Sequence, residues 1–212
     1  MIASSLETRA SARKRGRAVN LARAFLALWA GVASVVIASL MAEHWVALPR
    51  PAVDDARTQA GLANLRAGEG STARWTLHHV LYADCPCSRD VLEQVLRRSA
   101  PPECDEVVLL VGDDALVEGR CAERGLRLVV VTEAQLAEQF GVEAAPLLLV
   151  TDPHGRTRYS GGYTDRKRAL ALQDLALVAR LRAGESVAPL PVFGCGVSAS
   201  LQDALDPLGL KY

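Results

Sequence analysis

The sequence predicts an α/β domain with a mixed sheet covered by helices, preceded by an N-terminal transmembrane helix. Three observations carry this. From residue 75 onward, short apolar runs alternate with amphipathic stretches. Two of the runs, 146–152 and 157–163, are separated only by Pro153-His154-Gly155-Arg156, which makes them an antiparallel hairpin. Residues 24–42, AFLALWAGVASVVIASLMA, carry no charge and are about long enough to cross a bilayer.

The elements follow in order. Residues 75–83 are rich in β-branched and aromatic side chains, as a strand requires. Residues 88–99 place Val91, Leu92, Val95 and Leu96 on one helical face, and Pro101-Pro102 stops them. The continuous apolar run 106–112 suits a buried parallel strand. A helix over 113–125 takes Asp113 as its cap and Gly125 past its end. Residues 126–131 are a strand, and 132–141 a helix opened by Thr132 and closed by Gly141. After the hairpin, 165–184 forms the longest helix outside the membrane segment. The order is βαβαβαββα.

Chain organisation follows from the same reading. Residues 1–23 are a basic cytoplasmic N-terminus, 24–42 a transmembrane signal anchor and 43–73 a linker. Residues 74–184 form the α/β domain, and 185–212 a C-terminal extension. The 212 residues, half of them hydrophobic, hold one ordinary domain with appendages. Formal net charge is zero, so nucleic acid is not an expected partner. The balance hides an asymmetry: Arg9, Arg13, Lys14, Arg15, Arg17 and Arg23 face a single acid, Glu7. The positive-inside rule puts them in the cytoplasm and everything after residue 43 across the membrane. A cleaved signal peptide is the competing reading; its best small-x-small site is Val36-Ile37-Ala38.

The chemistry centres on Cys85-Pro86-Cys87, where the first strand gives way to a helix. Proline suits the first helical position, which makes Cys85 the N-cap and puts both sulfurs near unpaired backbone N–H groups. Such a field favours the thiolate, the nucleophilic form. Cys85 is expected to be the more exposed and to attack, and Cys87 to resolve the mixed disulfide. Asp84 disfavours the thiolate and Arg89 partly offsets it. A disulfide across so short a spacing closes a small ring. Cys195, between Gly194 and Gly196, is therefore a candidate third thiol that returns over the site and resolves it. Cys104 and Cys121 are candidates for a structural disulfide, because a helix running back along its strand brings its late residues near the strand's start. His78 and His79 point to opposite faces of a strand, and His154 sits in a solvated turn. No organic cofactor and no resident metal are expected.

The layout resembles the thioredoxin superfamily, and more narrowly its membrane-anchored TlpA/ResA-like branch outside the bacterial cytoplasm. Three features carry the resemblance over about residues 75–184: cysteines just after the first core strand, the segment QFGVEAAPLLLVTDPHGRTRYSGGY, and a long closing helix. The pair lacks one residue relative to that family, giving a CPC site. The resemblance implies a three-layer α/β/α fold and thiol–disulfide exchange with a protein partner. It implies that Pro146 is cis and faces the cysteines, and that Ala145 pairs with substrate backbone. It also implies a single pass through the bacterial inner membrane, with the C-terminal domain in the periplasm. Two other functions fit the residues: a Cu(I)-binding maturation factor using Cys85, Cys87 and one histidine, and a non-catalytic anchored interaction domain.

Overall fold

The computed structural model describes residues 20–38, 48–67, 74–99, 101–167, 171–206 and 209. The basic positions before residue 20, residues 39–42 of the expected span, Glu43, His44, Trp45 and Arg168 lie outside the described residues. The chain divides into two compact units, Met1–Val46 and Ala47–Tyr212.

The first unit contains helix α1 (Asn20–Ala38), which is 19 residues long and among the described residues is the helix long and apolar enough to cross a membrane. At a rise of about 1.5 Å per residue it is about 28 Å long, close to the thickness of a hydrocarbon core. Its apolar side chains, Phe25, Leu26, Trp29 and Ile37 among them, are exposed.

The second unit is built around a five-stranded sheet in the order β3-β2-β1-β5-β6. Its elements are α2 (Ala56–Ala67), β1 (Trp75–Tyr82), α3 (Pro86–Arg97), β2 (Cys104–Val111), α4 (Ala115–Glu123), β3 (Arg127–Val131), α5 (Glu133–Phe140), β4 (Ala144–Ala145), β5 (Leu147–Thr151), β6 (Thr157–Gly161), α6 (Asp174–Arg182), β7 (Cys195–Gly196) and α7 (Ala199–Leu205). β1, β2 and β3 are parallel, whereas β5 runs antiparallel to both β1 and β6. This register positions the site. Val80, near the end of β1, lies opposite Leu147, the first residue of β5. The residues that leave β1 and those that enter β5 therefore meet at one end of the sheet.

Alternation along the strands makes two apolar faces. Leu77, Leu81, Val108 and Leu110 pack under α3, α4 and α6. Val80, Leu109, Leu147 and Leu149 pack under α2 and α5. The result is the expected three-layer α/β/α arrangement. Local signals act as the sequence suggests at α5. Thr132 and Gln135 form a capping box on α5, which ends at Gly141 in the left-handed region (φ 65°). On α4 the cap is Asp114 rather than Asp113; its carboxylate accepts from the Leu116 and Val117 N–H groups.

The expected division of the chain needs two corrections. Residues 48–67 of the expected 43–73 linker belong to the globular unit. Asp55 Oδ1 accepts from Thr58 N at 2.8 Å, Thr58 Oγ1 donates to Phe140 O at 2.6 Å, and Leu62 is buried. Gly61 lets α2 close on α5: a Cβ there would overlap Gln139 O and lie 2.7 Å from Phe140 Cδ1. The closing helix is α6, shorter than 165–184. Leu172 N donates to Gln94 Oε1 and Gln173 N to Tyr163 O, so these amides serve α3 and the end of the hairpin rather than an earlier helical turn. The C-terminal extension also packs on the domain. Gly162 N donates to Leu190 O, Leu190 N to the Tyr159 hydroxyl, and Leu48 N to Val192 O.

A buried polar network ties α3 to β2 and α6. Arg98 Nη2 lies 2.6 Å from Glu106 Oε1 and also pairs with Asp174. His79 Nε2 faces Glu106 at 3.4 Å, and its Nδ1 meets the Tyr163 hydroxyl at 3.0 Å. Burial alone raises the Glu106 carboxyl, but hydrogen bonds from His79 and Arg98 prevail and hold it below its ordinary value.

Candidate three-cysteine site

Cys85, Cys87 and Cys195 meet at the end of β1. Cys85 is the N-cap of α3, in extended conformation (φ −96°, ψ 116°), with Pro86 opening the helix, as the sequence suggests. Its N–H donates to Tyr82 O at 3.0 Å, which folds the chain out of the strand and into the helix. Ser88 fixes the turn from the other side, its hydroxyl accepting from Tyr82 N at 3.0 Å. Facing the turn is the cis Ala145–Pro146 bond. Cys85 Sγ lies 3.8 Å from Ala145 O.

Cys195 arrives from the far end of the chain. β7 pairs antiparallel with β4, Cys195 opposite Ala145 and Gly196 opposite Ala144. The backbone edge that the resemblance assigns to a partner strand thus carries the chain's own C-terminal segment. This explains a correction: Cys85 is fully buried and Cys87 half-buried, the reverse of the expected order of exposure.

The electrostatics distinguish the thiols. The Cys195 thiol, then the Cys87 thiol, then the Ser88 N–H and hydroxyl hydrogen-bond to the Cys85 sulfur; against the opposing effect of burial they hold it well below an ordinary thiol. Cys87 moves the other way. Its hydrogen bond to Cys85, its burial and the charge on the Cys85 sulfur all keep its proton in place. The favourable field therefore comes mainly from neighbouring thiols. Arg89, expected to help, donates instead to Ala83 O at 3.4 Å.

The other candidates lie apart. Cys104 opens β2 and Cys121 lies in α4; both are buried in the same apolar cluster, and the structure carries them as free thiols. Burial raises the pKa of both. Among the described residues, neither buried histidine joins the cysteines. His78 Nε2 faces Thr151 Oγ1 at 3.3 Å, and burial pushes its pKa down to about 3. His79 belongs to the Arg98 network. His154 is exposed in its turn. Among the described residues, a triad of potential metal donors within 4.8 Å of one another is His79, Glu106 and Asp174, and Arg98 pairs with both of its carboxylates. A cavity of about 760 Å³ opens at the opposite end of β1 and β2 beside His78, Arg98 and Cys104.

Sequence reasoning missed Ser88 as a partner of Cys85, and the buried network. The only trace of the network was a glutamate at the head of the apolar run that forms β2, Glu106.

No family model matches the chain, and no curated protein matches it. Solved structures do. An uncharacterized conserved protein from Geobacillus kaustophilus is 16% identical with a TM-score of 0.50, over 62% of this chain and 80% of that one. The hypothetical protein SMc02350 from Sinorhizobium meliloti 1021 is 17% identical with a TM-score of 0.48, over 60% and 81%. A secreted Mycobacterium tuberculosis disulfide oxidoreductase homologous to E. coli DsbE is 13% identical with a TM-score of 0.41, over 55% and 86%. The likeness to the Geobacillus kaustophilus protein is one of fold: the chain has a three-layer α/β/α fold in which a cysteine-bearing turn faces a cis-proline, preceded in sequence by an apolar helix.

Proposed function

We propose that this protein is a membrane-anchored, extracytoplasmic thiol–disulfide oxidoreductase acting on other proteins. The observation that carries the reading is the gathering of Cys85, Cys87 and Cys195 beside the cis Ala145–Pro146 bond, where the other two thiols lower the Cys85 pKa. A buried structural cysteine has its pKa raised, as at Cys104 and Cys121; Cys85 does the opposite.

The Cys85 thiolate attacks a sulfur of the substrate disulfide, forming a mixed disulfide and releasing one substrate thiolate. A second thiol of the site attacks Cys85 Sγ and releases the other. Cys87 was the expected resolving group. Cys195 suits the step better, since it is the foremost hydrogen-bond partner of Cys85 and its bridge avoids the small ring within the first turn of α3. Cys87 then acts as the proton-bearing neighbour that stabilises the thiolate. Ala145 and Pro146 hold the partner strand.

The anchor is α1. Its length and apolar surface, with the basic residues before it and Glu43 after it, support a single pass through a bacterial inner membrane with the domain in the periplasm. A reporter fused after residue 206 tests the orientation. The activity is tested by insulin reduction and by single-turnover reduction of a model protein disulfide. Cys85→Ser is expected to abolish both. Retained exchange in this variant, or stoichiometric Cu(I) binding without any exchange by the wild type, overturns the reading.

A further inference from the structure

The C-terminal segment is built into the thiol site more tightly than an appended tail requires. Beyond the β4–β7 pair, Val197 N–H donates to Glu143 O at 2.7 Å. Helix α7 secures it: Ser198 caps the helix, and Gln202 Nε2 donates to Gly196 O and Val197 O at 3.2 and 3.3 Å. The approach leaves no room for a side chain at Gly194 and little at Gly196. A Cβ on Gly194 would overlap Ala145 O and lie 2.5 Å from Pro146 Cδ, and one on Gly196 would lie 3.2 Å from Leu201 Cγ. Cys85 is fully buried beneath this segment although its neighbours Asp84 and Pro86 are exposed. One strand edge offers one set of donors and acceptors, so β7 and an incoming strand cannot pair with residues 143–145 together.

We propose that residues 191–198 are a tethered partner strand closing the thiol site, and that a protein substrate enters by displacing it with an extended segment bearing glycine immediately before its cysteine. The closure stands on the geometry; the substrate half rests on the thiol–disulfide reading above. The substrate strand takes the 143–145 edge, and the Cys85 thiolate attacks its disulfide. The Cys85–substrate bond forms, the substrate S–S bond breaks, and one substrate sulfur leaves as a thiolate that water protonates. Return of β7 expels the substrate strand and sets Cys195 on Cys85 Sγ. Cys195 loses its proton to water and attacks; the Cys85–Cys195 bond forms and the second substrate thiolate leaves. The substrate gains two electrons and the Cys85–Cys195 pair loses two. Strand return and product release are then one event.

The test is Cys85 alkylation by iodoacetamide in the reduced, full-length protein, read by mass spectrometry. Gly194→Ala pushes the segment off its edge and is expected to speed modification of Cys85 about tenfold or more, as local opening does. Gly119→Ala, on α4 with open space around it, is the control. A folded Gly194→Ala protein with an unchanged rate overturns the closure. A second measurement leaves Gly194 intact. In Cys87→Ser/Cys195→Ser protein carrying a Phe-Gly-Cys-Gly-Val peptide as a mixed disulfide on Cys85, hydrogen exchange at the Val197 amide is expected to accelerate over the peptide-free protein. Unchanged exchange also overturns the proposal. Equally fast loading of a Phe-Ala-Cys-Gly-Val peptide overturns the glycine requirement. Neither readout needs turnover: a site that opens as expected in a protein that exchanges no disulfide overturns the proposed function and leaves the closure standing.

Discussion

Replacing Cys195 by Ala tests the origin of the Cys85 thiolate. The Cys195 thiol is the largest contributor to the lowered Cys85 pKa, ahead of Cys87 and Ser88. Position 195 pairs through its backbone, so Ala keeps the β4–β7 pairing and removes only the sulfur. A hydrogen bond to a charged group contributes about 1.5–3 kcal/mol, and a thiol is a weak donor, which favours the lower end. At about 1.4 kcal/mol per factor of ten, the acid dissociation constant of Cys85 should fall roughly tenfold. The midpoint therefore moves up, towards an ordinary thiol. Thiolate ultraviolet absorbance of the reduced protein against pH, with the Cys85→Ser protein as blank, reads it directly. Stability gives an independent check. A folded pKa held below the unfolded value contributes stability that is full above the unfolded thiol's pKa and is lost as pH falls towards the folded one. Reduced wild type should therefore gain stability to urea between about pH 6 and pH 8 relative to Cys85→Ser, and in Cys195→Ala that gain should begin at a higher pH. An unmoved absorbance midpoint in Cys195→Ala would refute the assignment of the field to neighbouring thiols.

Two further predictions concern the scaffold. Arg98→Met leaves Glu106 and Asp174 buried without their cation, and removing one partner of a buried pair costs about 3–5 kcal/mol; urea denaturation measures it, and a loss well below 1 kcal/mol would remove the network from the account of stability. Gly61→Ala overpacks the α2–α5 contact and should destabilise by about 1–3 kcal/mol, whereas a true linker would tolerate it, so an unchanged melting temperature would return 48–67 to the status of a linker.

Much of the fold is determined locally, and the sequence alone reached it. Thr132 with Gln135, Gly141 and Pro86 each fix a helix end through their own backbone or side-chain chemistry, and the apolar runs fix the strands. The turn after the hairpin's first strand is likewise local. Where the reading departs from the structure, the deciding partner is distant in sequence. The start of α6 depends on Gln94 and Tyr163, and the role of residues 48–67 depends on Phe140 and Gln139. Arg98 shows no special pattern until β2 and α6 bring Glu106 and Asp174 to it.

The site divides in the same way. The sequence by itself determined that Cys85 caps a helix behind a proline, since N-cap chemistry needs only neighbouring residues. Only the tertiary structure decided that Cys85 is buried, that thiols rather than Arg89 lower its pKa, and that Cys195 sits opposite Ala145. Those facts depend on a strand pairing between residues some fifty positions apart. Hydrogen bonds of that kind are set by which backbone edge is left open when the sheet closes, and no local pattern in the chain encodes that edge.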